Sequence, residues 1–213
     1  MHAAGATIIG HVNTRKRLSA LQEIPAFHGI FPPSQAAVLT TIIFWNENPI
    51  HFNGEELSLK CYPPAHSDSN ISMRFMQANI RPTGDTCFNG FYPFIDYHDG
   101  GSLDGMLAAS ARNLASADDQ TIIVPGQGAV GDKANVSEYF EMISTGREKV
   151  ATLKKQGKSV SETVAAKPSA AFDSKWGRMD RPPGVCRSCL RRRLNSAGYN
   201  GYFEGCTKRK GQR

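Results

Sequence analysis

The sequence predicts an α/β chain in which helices cover sheets. Strand-like segments fill most of the first hundred residues, and strand and helix alternate after them. Composition agrees: 40% apolar, 21% charged and 9% aromatic residues exclude full-length disorder and a collagen-like fibre. The 213 residues suit one domain of ordinary size, or one domain with a short appendage.

The elements follow in order. Ala6 to Gly10 reads as a short buried strand, and Asn13 or Thr14 could cap a helix through Leu21. Pro25 to Pro33, rich in Pro, Phe and Gly, reads as loop. Val38 to Trp45 carries the β-branched run of a strand. Ile50 to Tyr62 reads as a hairpin, because Asn53-Gly54 is a type I′ turn signal between two apolar segments. A loop from Pro63 to Ser69 leads to a strand at Ile71–Phe75 and a short one near Asn79–Arg81. Gly84 to Gly101 reads as a long loop, of a length that is usually functional or disordered.

The second half is more periodic. Leu103, Met106, Leu107 and Leu114 mark a helix capped by Ser102, and Thr121 to Val124 a short strand. Val136 to Gln156 is the longest helical pattern, stopped by Gly157. Ser159 and Glu162 form a capping-box pattern for a last short helix ending before Pro168. There is no internal repeat.

Charge and cysteine narrow the function classes. The formal net charge is +6, but Arg178 to Arg213 holds ten Lys/Arg against Asp180 and Glu204. Residues 1–177 therefore hold 15 Lys/Arg and 17 Asp/Glu, which gives no electrostatic reason to expect nucleic acid or an anionic membrane there. Five cysteines at uneven spacing do not make a disulfide scaffold; mostly free thiols or a local metal site are expected. No apolar run approaches the roughly 18–20 residues that span a bilayer. Residues 1–5 show no basic segment before a long apolar one, so the cytoplasm is the default compartment. An export signal on a longer precursor would change that to the periplasm.

Three segments could carry chemistry. His66 lies in the tight loop Pro63 to Asn70, between two strands, where an imidazole is held rigidly enough to ligate a metal; a hydrogen-bonded loop histidine is the plainer alternative. Asp85, in Thr83-Gly-Asp-Thr86, is a strand-end carboxylate suited to a metal bridge or a general base, and equally to capping a turn. Val124-Pro-Gly-Gln-Gly128 has the glycines of a sharp turn, but Gln127 is a poor zinc ligand because its neutral amide oxygen does not offset the metal's charge.

The order of the three is more specific than any one alone. A strand-end His, a Gly-Asp nineteen residues on, and a Pro-Gly-x-Gly strand end after a helix resemble the metallo-β-lactamase superfamily. The nearest resemblance is to its bacterial zinc hydrolases of the cyclase-like and quinoprotein-relay type. The matching text includes Gly5-Ala-Thr-Ile-Ile-Gly-His11, Arg15-Lys-Arg-Leu18, Phe52-Asn-Gly-Glu-Glu56 and Pro64-Ala-His-Ser-Asp68. It continues through Gly84-Asp-Thr86, Asn89-Gly-Phe-Tyr-Pro-Phe-Ile-Asp96, Gly100-Gly-Ser-Leu-Asp-Gly-Met106 and Val124-Pro-Gly126, to Phe172-Asp-Ser-Lys-Trp-Gly177. Residues 3–177 are covered.

The resemblance implies an αββα sandwich with one or two zinc ions at a sheet edge, where the metal turns bound water into a nucleophile against an ester, amide or thioester of a small molecule. His66 matches a ligand His, Asp85 the Asp that bridges two metals and serves catalysis, and Gln127 stands at the place of the final His ligand. The family's His-x-His-x-Asp-His segment, normally upstream of Gly5, has no counterpart, and neither do the first strands of the sandwich. The expectation is therefore a zinc site reduced to His66 and Asp85, too few for the usual three or four ligands. Recruitment of His2 or His11 is the alternative weighed against it. The chain is expected to be an impaired or inactive hydrolase, or else a degenerate non-catalytic module, with an exposed sheet edge that could pair with a second copy.

The resemblance stops at Gly177. Residues 178–213 are expected to be an irregular, disordered tail; a small zinc site of Cys186, Cys189 and Cys206, which lacks a fourth ligand, with Arg191 to Arg193 gripping phosphates of nucleic acid, is the less favoured alternative. An unselected alternate-frame tail is the plainer reading.

Overall fold

The structure, a computed structural model, describes residues 5–24 and 29–177. The tail, with its cysteines and arginines, lies outside the described residues, as do His2 and His28.

Strand β1 (Ile9–His11) runs directly into helix α1 (Val12–Leu18). The cap is His11 itself, not Asn13 or Thr14: its ring Nδ1 accepts the Asn13 N–H at 3.1 Å. Within the stretch expected as loop, β3 (Gly29–Phe31) is a strand, and it pairs antiparallel with β2 (Gln22–Ile24) just before that stretch. The strand expected over Val38 to Trp45 shortens to β4 (Ile42–Phe44), preceded by one 3-10 turn at Ala36–Val38, because β4 has only the three residues of β1 to pair with, in parallel.

The main sheet has five strands in the order β5 (Glu47–Phe52), β6 (Glu55–Cys61), β7 (Ile71–Phe75), β8 (Ile80–Phe88) and β9 (Ile122–Gln127). Pairing is antiparallel up to β8, and β8–β9 is parallel. The β5–β6 turn is as expected: Asn53 and Gly54 have φ of 53° and 75°, and a type I′ turn needs positive φ at both positions. The parallel pair is joined by helix α2 (Leu103–Ala115), capped by Ser102. Helix α3 (Lys133–Lys155) follows β9 and packs on α2 and on β8 and β9. Short helices α4 (Val160–Ala165) and α5 (Asp173–Trp176) close the described chain. The Ser159–Glu162 capping box forms as expected, and α5 was not expected at all.

The long loop expected from Gly84 to Gly101 begins as strand, over Gly84 to Phe88. β8 continues to Phe88, its Gly84-Asp-Thr86 segment carried by register shifts against β9 on either side of Gly84. A turn-like composition here marks a bulged strand rather than a loop. β9 likewise continues through Pro125, which an outer strand tolerates because its missing donor faces no partner.

The core lies between the sheet and the α2–α3 pair, with Phe88 and Ile123 from the strands buried against Met106, Val136, Tyr139 and Trp176 from the helices. The β1–β4 region is less covered: Ile42 and Ile43 are each 41% exposed and Trp45 is 74% exposed. Cys61 and Cys87 are free thiols, and burial pushes the Cys87 thiol up to about 12. No described helix is long and apolar enough to cross a membrane.

Candidate functional site

His66 sits in the loop between β6 and β7, pressed onto the N-terminus of α2. Ser102 N–H donates to the Ala65 carbonyl at 2.8 Å, and Asp96 N–H donates to the His66 carbonyl at 2.8 Å. Two glycines make this approach possible. A Cβ on Gly105 would lie 1.7 Å from the Pro64 oxygen, and one on Gly101 would lie 2.3 Å from the His66 oxygen. The imidazole meets Phe94 edge-on, with ring centroids 5.7 Å apart.

The loop is also tied from the far side. Arg17, on α1, bonds Asp68 at 2.5 Å and Asp99 at 3.0 Å, and Asp68 N–H donates to the Asp99 carbonyl. The Arg17 guanidinium holds the Asp68 carboxyl below the usual carboxylate range, and Asp68 in turn raises Arg17.

Asp85 comes from the bulged stretch of β8. Its Oδ2 is 3.6 Å from His66 Nε2, with the side chains 35% and 19% exposed, so the pair is reachable from solvent. Asp85 Oδ1 faces β9 so closely that a Cβ on Gly126 would lie 2.1 Å from it. The Pro-Gly-x-Gly segment thus supplies a wall of bare backbone against the carboxylate. Gln127, the next residue, is exposed and pairs in register with Phe88; Asn89 N–H donates to its carbonyl at 2.9 Å.

His66 and Asp85 are therefore brought together, nineteen residues apart in sequence. Two ligands of one tetrahedral zinc stand roughly 3.3 Å apart, from bonds of about 2.0–2.1 Å. The 3.6 Å separation suits two corners of such a site. Among the described residues no group of three or more His, Cys, Asp or Glu could hold a metal ion. His11 is buried as the cap of α1, and burial lowers its affinity for a proton. His51 is exposed on β5, and His98 pairs with Asp99 at 3.1 Å. The described side chains do not by themselves fit a zinc ion, which needs three or four protein donors or three and water.

The layers behind the pair were not foreseen. Asn113 and Ser110 lie on the apolar stripe of α2 with Met106, and all three are fully buried. Polar side chains at helical spacing on a buried face were the available sign. Arg17 carried no comparable sign, since its partners are 51 or more residues away.

Solved structures show the same arrangement of strands and helices. A metallo-β-lactamase from Pontibacter korlensis superposes with a TM-score of 0.50 at 15% identity, over 67% of this chain and 60% of its own. The B3 metallo-β-lactamase BLEG-1 gives 0.53 at 17% identity, over 67% of each. The chain has the metallo-β-lactamase fold. A double mutant of the sec-alkyl sulfatase PisA1 gives 0.63 at 11% identity, over 90% of this chain and 37% of its own. The metallo-β-lactamase fold here spans about three-fifths of the length of the Pontibacter enzyme. No family model matches the chain, and no curated protein matches it.

Proposed function

We propose that this chain is a metallo-β-lactamase-fold module of hydrolase descent, in which His66 and Asp85 are what remains of a water-activating zinc site, and that it turns over no substrate by itself. One observation carries the reading: the two side chains meet at 3.6 Å, open to solvent, with no third donor grouped with them among the described residues. A pair without further ligands leaves a zinc ion too weakly held to lower the pKa of water dependably. Substrates of intact enzymes on this fold, an ester, amide or thioester, or a secondary alkyl sulfate as the PisA1 name indicates, are the classes to test.

The experiment is a turnover assay of the purified chain with added zinc, against a chromogenic cephalosporin, an aryl ester and a secondary alkyl sulfate. No hydrolysis sensitive to chelator is expected. Turnover that a chelator abolishes and that falls in His66→Ala would overturn the reading and restore a working metal hydrolase.

A further inference from the structure

We propose that Asn113 is a positioning residue, whose buried amide ties the strand end feeding the His66 loop to the strand segment carrying Asp85 and so sets the separation of the pair. The inference rests on the reading of His66 and Asp85 as one site.

The need for such a tie comes from the sheet. β7 and β8 are in register only at Phe75 and Ile80, and the β8–β9 ladder shifts register on both sides of Gly84. Asp85 thus stands between Gly84, paired with Pro125, and Phe88, paired with Gln127, in the stretch where neither ladder gives it a partner. Backbone pairing holds Gly84 but leaves Asp85 to Cys87 outside the ladder, where side chains can add what pairing does not.

One hydrogen-bonded chain does this. The Tyr62 hydroxyl donates to Asn113 Oδ1. Asn113 Nδ2 donates to Thr86 Oγ1 at 3.2 Å, and Thr86 Oγ1 donates to the Thr83 carbonyl at 2.8 Å. Every donor has its own acceptor, and the direction is the same throughout, the arrangement in which such bonds reinforce one another. Asn113, Thr86 and Thr83 are fully buried and Tyr62 nearly so. Ser110, one helical turn before Asn113, donates to the Thr86 carbonyl at 3.4 Å.

Both ends of this chain matter to the site. Tyr62 closes the loop that holds His66, since its N–H donates to the Asn70 carbonyl at 3.0 Å. Thr86 is the neighbour of Asp85. Helix α2 therefore touches the His66 loop with its first turn, through Ser102 and Gly105, and the Asp85 strand with its last turns, through Ser110 and Asn113. Arg81, whose guanidinium donates to the Ser72 hydroxyl at 3.1 Å, lies in the part of β8 that is in register with Ile123, before the ladder breaks.

The test uses the full chain with labelled histidine rings, read by NMR near pH 8.5, about two units above the ordinary imidazole value. Asp85→Asn is expected to move the His66 ring signals and to leave those of His51 unmoved. In the Asn113→Leu background the same substitution should move His66 by less than about half as much, as expected for coupling read by a double-mutant cycle. Thr86→Val cuts the same chain with almost no change of shape and should act alike; it decides the matter if Asn113→Leu does not fold. An undiminished His66 response in the folded variant overturns the proposal and leaves Asn113 a core residue only. A His66 signal that ignores Asp85→Asn in the unaltered chain removes the pair itself, and with it both the proposal and the reading beneath it.

Discussion

Gly126 places a hydrogen where any other residue would put a carbon into the Asp85 carboxylate and into the backbone of Gly84 and Asp85, at 2.1, 2.6 and 2.7 Å. The side chain could turn aside, but the backbone atoms cannot. Gly126→Ala should therefore cost about 1–3 kcal/mol, read from the urea midpoint, as overpacking does elsewhere. Arg17 gives a second prediction at this scale. Asp68 has a folded value below its ordinary 3.8, because Arg17 bonds its charged form. Its contribution to stability is thus present above 3.8 and lost as pH falls through the lower folded value. Arg17→Met should cost on the order of 1 kcal/mol at pH 7. The difference between the two chains should shrink as denaturant midpoints are measured progressively below 3.8. A constant difference across that range would assign Arg17 to packing alone.

Among the elements, α2 carries the most consequence for its length. Its cap is Ser102, whose Oγ accepts the Gly105 N–H at 3.0 Å. Ser102→Ala should cost about 1 kcal/mol, measured by urea denaturation. The cap, the helix and its apolar stripe were all readable from the sequence, because helical period and capping chemistry are local. So were the Asn53-Gly54 hairpin, the β7 strand and the Ser159–Glu162 box, for the same reason. What was not readable depends on partners far away. The upper half of β8 has the glycine, aspartate and threonine of a loop, and only its neighbours in the sheet make it a strand. β2 and β3 are three residues each, too short to show an alternation. His66 and Asp85 were legible as candidates from the order of their segments; the hydrogen-bonded chain through Asn113 was not, since Asn113 is 27 residues from Thr86 and 51 from Tyr62.

The whole molecule divides into a well-covered part and an open one. Trp176 is 3% exposed, within the helical core, and Trp45 is 74% exposed beside β4. Acrylamide should quench two populations of tryptophan emission, and Trp45→Phe should leave only the shielded one; a single population would mean that the β1–β4 face is covered in solution. The two outer strands of the main sheet each contain a proline, Pro49 in β5 and Pro125 in β9, so neither offers a full row of donors to another copy. The placement of α2 also bears on how the chain is made. His66 and Asp85 both leave the ribosome before the helix that holds them, and loops of this span must close before any contact rewards them. A nascent chain that has emerged only as far as β8 carries both side chains but lacks the helix that ties their two segments together. The pair comes into being when Asn113 arrives, and from that moment its geometry is as lasting as the fold.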